Sequence, residues 1–191
     1  MRDMTSRELL QEFEKVIDRL ERALRACPES LWGASLWKVK RTDAWMWPPE
    51  DSEPEPGRTE ESIQVFSALW LVAYHCLFYL DFYLTATAAN FQTPEYVRGG
   101  VEEDPINEHG AARFPDGPYS KEILLKYLDY GRDRARKIIP ALTDDGANSV
   151  CPDWHPHAGK RLNELLRVNL AHVTEHGGQI FEFVEEHAGA A

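Results

Sequence analysis

The chain has 191 residues, a formal net charge of −11 and three cysteines. This length suits a single domain, residues 1–191, which can bury a core without disulfides or a structural metal. The excess charge is negative, and the basic residues are scattered apart from one short cluster between positions 132 and 137. Nucleic acid is therefore not an expected partner.

The cysteines and the N-terminus both favour a cytoplasmic location. Cys27, Cys76 and Cys151 are widely spaced and form no C-x-x-C motif, which is typical of reduced thiols. Residues 1–14 are charged and follow a helical pattern, so no signal peptide is expected there.

The first predicted helix begins at Thr5 or Ser6, where a hydroxyl can cap it, and ends near Cys27. Its apolar residues recur at intervals of three and four. Residues 28–59 are predicted to be irregular, with an acidic, proline-rich stretch at 50–56. This segment also carries four tryptophans, which we expect to fold over the bundle: Trp32, Trp37, Trp45 and Trp47.

The second predicted helix begins at Thr59 and runs to Leu84. It is apolar almost all round, which suits a central helix or one with a face against a second subunit. Residues 66–84 approach membrane-spanning length, but a serine, a histidine and an aspartate interrupt them and no basic flank follows. A helix buried in the protein is therefore favoured over a transmembrane span.

Two further helices complete the chain. Residues 90–119 are rich in glycine and proline and form a loop long enough to shape a binding site. Ser120 caps a third helix that ends near Pro140, and a fourth runs from about Lys160 to His187. Four long helices without strand-like alternation predict an all-α four-helix bundle with long inter-helix loops.

The most informative residues for function are His172 and His176 in the fourth helix. A spacing of four places two side chains on nearly the same face, offset by about 40° and roughly 6 Å along the axis. Both lie in the apolar stripe, so they are expected to point toward His75 of the second helix. Three neutral imidazoles suit Zn²⁺ or Ni²⁺ and leave a coordination position open.

Two other interpretations of these histidines remain open. Each can be a core histidine whose ring is satisfied by a hydrogen bond, although three interior histidines then each need a partner. The sequence from His172 to His176 also spells H-x-x-E-H, the signature of inverted zinc peptidases. Only 15 residues follow, too few to supply the further ligand of that chemistry, and Glu175 is expected to point into solvent.

Several neighbouring residues are weaker candidates. His155 and His157 lie in a predicted turn, where a solvated loop is favoured over an edge of the cavity. Asn169 and Gln179 can hold a ligand in place or serve ordinary hydrogen bonding. Cys76 adjoins His75 but points to another side of the helix, so a buried structural thiol is favoured over a ligand or nucleophile. His109 and His187 are predicted to be surface residues.

A histidine within the second helix, the H-x-x-x-H pair and the trailing Gly178-Gln179-Ile180 together resemble the DinB-like (DinB/YfiT-like) metalloenzyme family. The resemblance spans most of the chain. It implies a four-helix bundle, commonly a homodimer, with His75, His172 and His176 as ligands of one divalent ion. Gly177 departs from this pattern, because relatives often carry arginine there, and the two long loops exceed what a minimal member needs.

Characterised members of the family include thiol S-transferases and a thiol-dependent isomerase, while other members have no known activity. The resemblance therefore implies a metal-dependent transferase that activates a low-molecular-weight thiol and acts on a small-molecule substrate. Two alternatives stay open. One is a hydrolase that uses a water activated by the same ion, and the other is a non-catalytic, dimeric ligand-binding bundle.

Overall fold

The computed structural model describes residues 4–39, 64–86, 91–97 and 118–187. These ranges contain four long helices and one short helix, with isolated bridges as their only β-structure. The helices are α1 (Ser6–Ala26), α2 (Leu69–Phe82), α3 (Lys121–Ile138), the short α4 (Asp144–Ala147) and α5 (Leu162–His187). The all-α four-helix bundle predicted from the sequence is confirmed.

The helix starts at α1 and α3 follow from their capping residues. Thr5 Oγ1 accepts from the backbone N–H of Glu8 at 3.2 Å, and the Glu8 carboxylate accepts from the backbone N–H of Thr5 at 2.8 Å. This reciprocal pair is a capping box, which satisfies two amide groups that a helix N-terminus otherwise leaves unpaired. Ser120 Oγ likewise accepts from the backbone N–H of Ile123 and caps α3. Both predicted starts are confirmed.

The second helix differs from its prediction at the N-terminal end. Its predicted start at Thr59 lies outside the described residues, and α2 begins only at Leu69. Before it, Val65–Ser67 form a 3-10 turn and Ala68 is extended, because the chain here pairs with an earlier segment. Ser67 O accepts from the N–H of Leu36, and the N–H of Leu69 donates to the carbonyl of Ala34. These bonds replace the helical pairing around Ala68, so α2 begins at Leu69.

The same region closes the long segment between the first two helices. The Gln64 side-chain amide pairs with the backbone of Val39. Its Oε1 accepts from the N–H of Val39 and its Nε2 donates to the carbonyl of Val39, both at 3.1 Å. Trp32 is buried and donates from Nε1 to the carbonyl of Tyr119 at 2.8 Å, whereas Trp37 is half-buried. These two tryptophans pack on the core as expected. Trp45, Trp47 and the acidic stretch 50–56 lie outside the described residues.

The arrangement of the helices decides where the site can form. α1 packs against α3 and α5, and α2 packs against the same two helices, so α1 and α2 lie at opposite corners of the bundle. Nearly every side chain of α2 is buried, as its apolar pattern predicted. None of the described helices combines the length and apolar character that crossing a membrane requires.

The basic cluster of α3 is neutralised within the bundle. Arg132 contacts Asp18 at 2.9 Å and Glu21 at 2.6 Å, and Arg136 contacts Glu14 at 2.6 Å. These ion pairs join α3 to α1. Their positive charges come from the short basic cluster noted in the sequence. The cluster is thus explained by helix packing.

A buried carboxylate joins α3 to α2. Asp81 has no exposed surface, and Arg134 Nε lies 3.0 Å from its Oδ1 without the alignment of a hydrogen bond. Tyr127 donates its hydroxyl to Oδ2 at 3.4 Å. Desolvation by burial outweighs both partners and raises the pKa of Asp81 to about 6.

This shift predicts a specific pH dependence of stability. The folded chain holds the Asp81 proton more tightly than the unfolded chain, so the stability contributed by Asp81 is complete below about pH 4 and falls as the pH rises to about 6. Asp81→Asn should remove this component, which amounts to about 3 kcal/mol at most. Urea unfolding of both proteins from pH 4 to 7 measures it, with the exposed Asp129→Asn as control. An unchanged pH slope in Asp81→Asn would contradict the assignment.

Candidate metal centre

The packing of α2 against α5 brings the three predicted histidines together. His75 projects from α2, and His172 and His176 project from α5 one turn apart. One ring nitrogen of each lies within 4.8 Å of the other two. The Nε2 atoms of His75 and His172 are 3.1 Å apart, and the three ring centroids are separated by 4.5 to 5.0 Å. The rings therefore converge on one point between the two helices.

This arrangement fits a divalent cation. Bonds of about 2.0–2.1 Å from a tetrahedral Zn²⁺ to two imidazole nitrogens place those nitrogens about 3.3 Å apart, close to the separation of the His75 and His172 Nε2 atoms. All three side chains are half-buried. Three neutral imidazoles with a remaining open position are the ligand set of a reactive metal site.

The electrostatics of His172 favour the uncharged ring that a metal requires. Burial is the main cause that lowers the pKa of His172 to about 3, and the neighbouring His75, His176 and His157 contribute to the same shift by repelling a positive charge. His172 is therefore neutral across the physiological pH range. A lone pair on one of its nitrogens is available without competition from protons.

Gln179 orients one of the three rings. Its Oε1 lies 2.9 Å from His176 Nδ1, one turn further along α5. An amide oxygen can only accept a hydrogen bond, so the proton of the neutral ring belongs on Nδ1 and the lone pair on Nε2. The sequence suggested that Gln179 can hold a ligand in place, and its contact with His176 Nδ1 fits that role.

Aromatic rings form one wall of the site. The Tyr79 ring centroid lies 4.8 Å from that of His75 and 5.2 Å from that of His172. Tyr83, one turn further along the chain, lies 5.0 Å from Tyr79 and 6.5 Å from His172. Sequence reasoning did not single out either tyrosine. The signal was present, because both repeat at intervals of four from His75.

The loop before α5 contacts this wall, and the prediction of a solvated loop is wrong for His155, whereas Trp154 and Pro156 are exposed. His155 is only 3 % exposed and stacks on Phe82 with 12° between the ring planes. Its Nδ1 accepts from the backbone N–H of His157 at 2.9 Å, which ties the two residues together. The His157 ring lies 5.1 Å from that of Tyr83, so the less favoured interpretation, an edge of the site, describes this loop. Ring stacking overrides the polar, turn-like composition.

The remaining candidates fall outside the cluster. Cys76 is fully buried, and burial raises the pKa of its thiol to about 12, as suits a structural thiol. Glu175 and His187 are exposed, and His109 lies outside the described residues. Gly177 is buried against α1, and an added Cβ would make an ordinary contact with the Leu20 Cβ at 3.7 Å, so the packing there does not require a glycine.

Comparison with known proteins agrees with this geometry. The profile of the DinB superfamily matches residues 12–180, which include α2, α3 and all three histidines. The chain belongs to the DinB superfamily. Neither a curated protein nor a solved structure matches the chain. The family membership predicted from the histidine pattern is thus confirmed.

The lowered pKa of His172 generates a prediction for this DinB protein. In the metal-free folded protein the His172 ring should show no change in its NMR chemical shifts between pH 5 and 8, because it is already neutral. In urea it should titrate near pH 6.5, as unfolded histidines do. The folded state therefore gains stability from His172 as the pH rises from about 3 to 6.5. A midpoint near 6.5 in the folded protein would show that the ring is not desolvated.

Proposed function

We propose that this DinB protein binds one divalent metal ion, Zn²⁺ or Ni²⁺, through His75, His172 and His176, and transfers a low-molecular-weight thiol to a small electrophilic substrate. The observation that carries the proposal is the convergence of three imidazole nitrogens from two helices within 4.8 Å. When bound, such an ion supplies Lewis-acid activation of a thiol or water.

The chain's own residues have separate roles in this proposal. The two α5 histidines are held one turn apart by the helix, and Gln179 fixes the ring of His176. Tyr79 lies against the rings of His75 and His172, and Tyr83 lies against that of His172. The aromatic wall formed by Tyr79 and Tyr83 favours a compact organic substrate with apolar surface.

The nucleophile has to come from outside the chain. All three cysteines are buried, and desolvation raises the pKa of each thiol. None of them lies in the histidine cluster. A protein thiol is therefore a poor nucleophile here, and the choice lies between an external thiol and water. The family resemblance supports a low-molecular-weight thiol as the cofactor.

Water is the less favoured nucleophile. Zinc peptidases of the H-E-x-x-H type, which attack with water, use a glutamate as general base beside the metal. The group of potential ligands in the described part of the chain contains only histidines, and Glu175, the nearest carboxylate in sequence, is exposed. Metal-dependent hydrolysis and a non-catalytic binding bundle are the alternatives that the tests below separate.

The homodimer stays a prediction. The large hydrophobic side chains exposed in the described ranges are Met4, Val150 and Trp154. Val150 and Trp154 lie in the loop before α5. An interface near this loop would place a second copy close to His157, whose ring lies 5.1 Å from that of Tyr83.

The first test is the metal content of purified, untagged protein by elemental mass spectrometry. Wild type should hold about one divalent ion per chain, and His172→Ala should lose it, because two imidazoles bind far more weakly than three. His187→Ala is the matched control, since this exposed histidine lies on the same helix. No bound ion in the wild type after addition of Zn²⁺ or Ni²⁺ would rule out the site.

The second test measures the reaction. Metal-loaded protein should accelerate the loss of low-molecular-weight thiols in the presence of model electrophiles, and His75→Ala should lower the rate at least 100-fold because the ion is lost. Chelator-treated protein provides the control for background chemistry. Ester or amide hydrolysis with thiols excluded would indicate the hydrolase instead. Metal binding without either activity would support the binding bundle.

A further inference from the structure

Three buried polar atoms on α5 have no protein partner among the described residues: Oδ1 of Asn163 near the start of the helix, and two atoms that lie three residues apart further along it. One is Nδ1 of His172, and the other is Oδ1 of Asn169, three residues earlier. Asn169 is completely buried. Most buried polar atoms in proteins have a hydrogen-bond partner, so each of these two atoms requires an explanation.

The two atoms are complementary. Asn169 Nδ2 donates to the carbonyl of Leu80 on α2 at 3.0 Å, which fixes the orientation of the amide and leaves Oδ1 as an acceptor. His172 Nε2 faces His75 Nε2, so Nδ1 is the nitrogen on the other side of the ring. If Nδ1 carries the proton of the neutral ring, it is a donor. A donor and an acceptor three residues apart on one helix are neighbours on its surface.

We infer that Asn169 is a positioning residue for His172, whose Nδ1–H it holds through one bridging water. A water that bridges a buried donor and a buried acceptor satisfies both at little cost. The bridge fixes the tautomer of His172, so that its Nε2 lone pair points toward His75. This inference rests on the proposed metal site, to which it assigns a further residue.

The inference gives both α5 histidines the same kind of support. Gln179, three residues after His176, accepts directly from Nδ1 of that ring, and Asn169, three residues before His172, would accept from Nδ1 of the other ring through the bridging water. Each amide oxygen leaves an Nε2 lone pair for the shared point between the helices. The pattern N-x-x-H-x-x-x-H-x-x-Q therefore reads as one functional unit, held to α2 by the bond from Asn169 to Leu80.

The test uses the full chain and two readouts. The first is the tautomer of His172 in the metal-free protein, from long-range ¹⁵N–¹H NMR of the imidazoles. The second is the Zn²⁺ affinity, from competition with a chromophoric chelator. We expect wild type to show Nδ1–H at His172. Asn169→Leu should lose that preference and bind Zn²⁺ 10- to 100-fold more weakly.

Asn169→Asp separates the two bonds of this side chain. When ionised, the carboxylate keeps an acceptor for His172 but cannot donate to the Leu80 carbonyl, so at a pH above the pKa of this carboxyl the tautomer and the Zn²⁺ affinity should be preserved. Gln179→Leu is the matched control, which should disturb the ring of His176 and leave the tautomer of His172 unchanged. If Asn169→Leu does not fold, Asn169→Ala gives the same comparison with a smaller side chain.

The outcomes are distinct. Equal losses of Zn²⁺ affinity in Asn169→Leu and Asn169→Asp, with the His172 tautomer unchanged, would overturn the inference and leave Asn169 as a structural link to Leu80. Nε2–H at His172 in wild type would overturn it as well. A tautomer that follows residue 169 in a protein that binds no Zn²⁺ would support the hydrogen-bond assignment while rejecting the proposed function.

Discussion

The packing of α2 against α5 is the constraint on which the site depends. α2 carries His75 into the bundle on a helix that is buried on almost every side, and α5 presents two histidines on one face. The 3.1 Å separation of the His75 and His172 Nε2 atoms exists only because the two helices lie side by side. A displacement of one helix by a single turn, about 5.4 Å, would move His75 away from at least one of the two α5 histidines and break the three-ring cluster.

Polar groups inside this interface link its structure to its chemistry. The Asp81 carboxylate, the Asn169 amide and the His172 ring all lie between helices, where burial penalises charge. Asp81 is joined to Arg134 and Tyr127 on α3, and Asn169 is joined to the backbone of α2. The same desolvation that costs stability at Asp81 keeps His172 neutral and available as a ligand. The core around Asp81 and the candidate metal site are thus both environments of low polarity that disfavour a charged side chain.

Sequence patterns predicted the helices and the three histidines because each depends on local rules. Helical periodicity, the caps at Thr5 and Ser120, and the four-residue spacing of His172 and His176 are short-range features. The break at Ala68 and the burial of His155 were not predictable from the sequence. The first results from backbone pairing with residues more than 30 positions earlier, and the second from stacking on Phe82, 73 positions earlier. Non-local contacts of this kind leave no periodic signal.

The contact between Gln64 and Val39 has a consequence for how this protein can vary. It brings the two ends of residues 40–63 together, and the pairing of Ala34 and Leu36 with the chain around Ala68 follows immediately. The position of α2 is therefore determined by contacts on either side of residues 40–63, and the bonds to Ala34 and Leu36 do not involve that segment. Insertions and deletions between Val39 and Gln64 should therefore leave the position of His75 along the bundle axis unchanged. The entropic cost of closing a longer segment grows only slowly with its length. Evolution can lengthen or replace this stretch of chain while the ligand set stays in register.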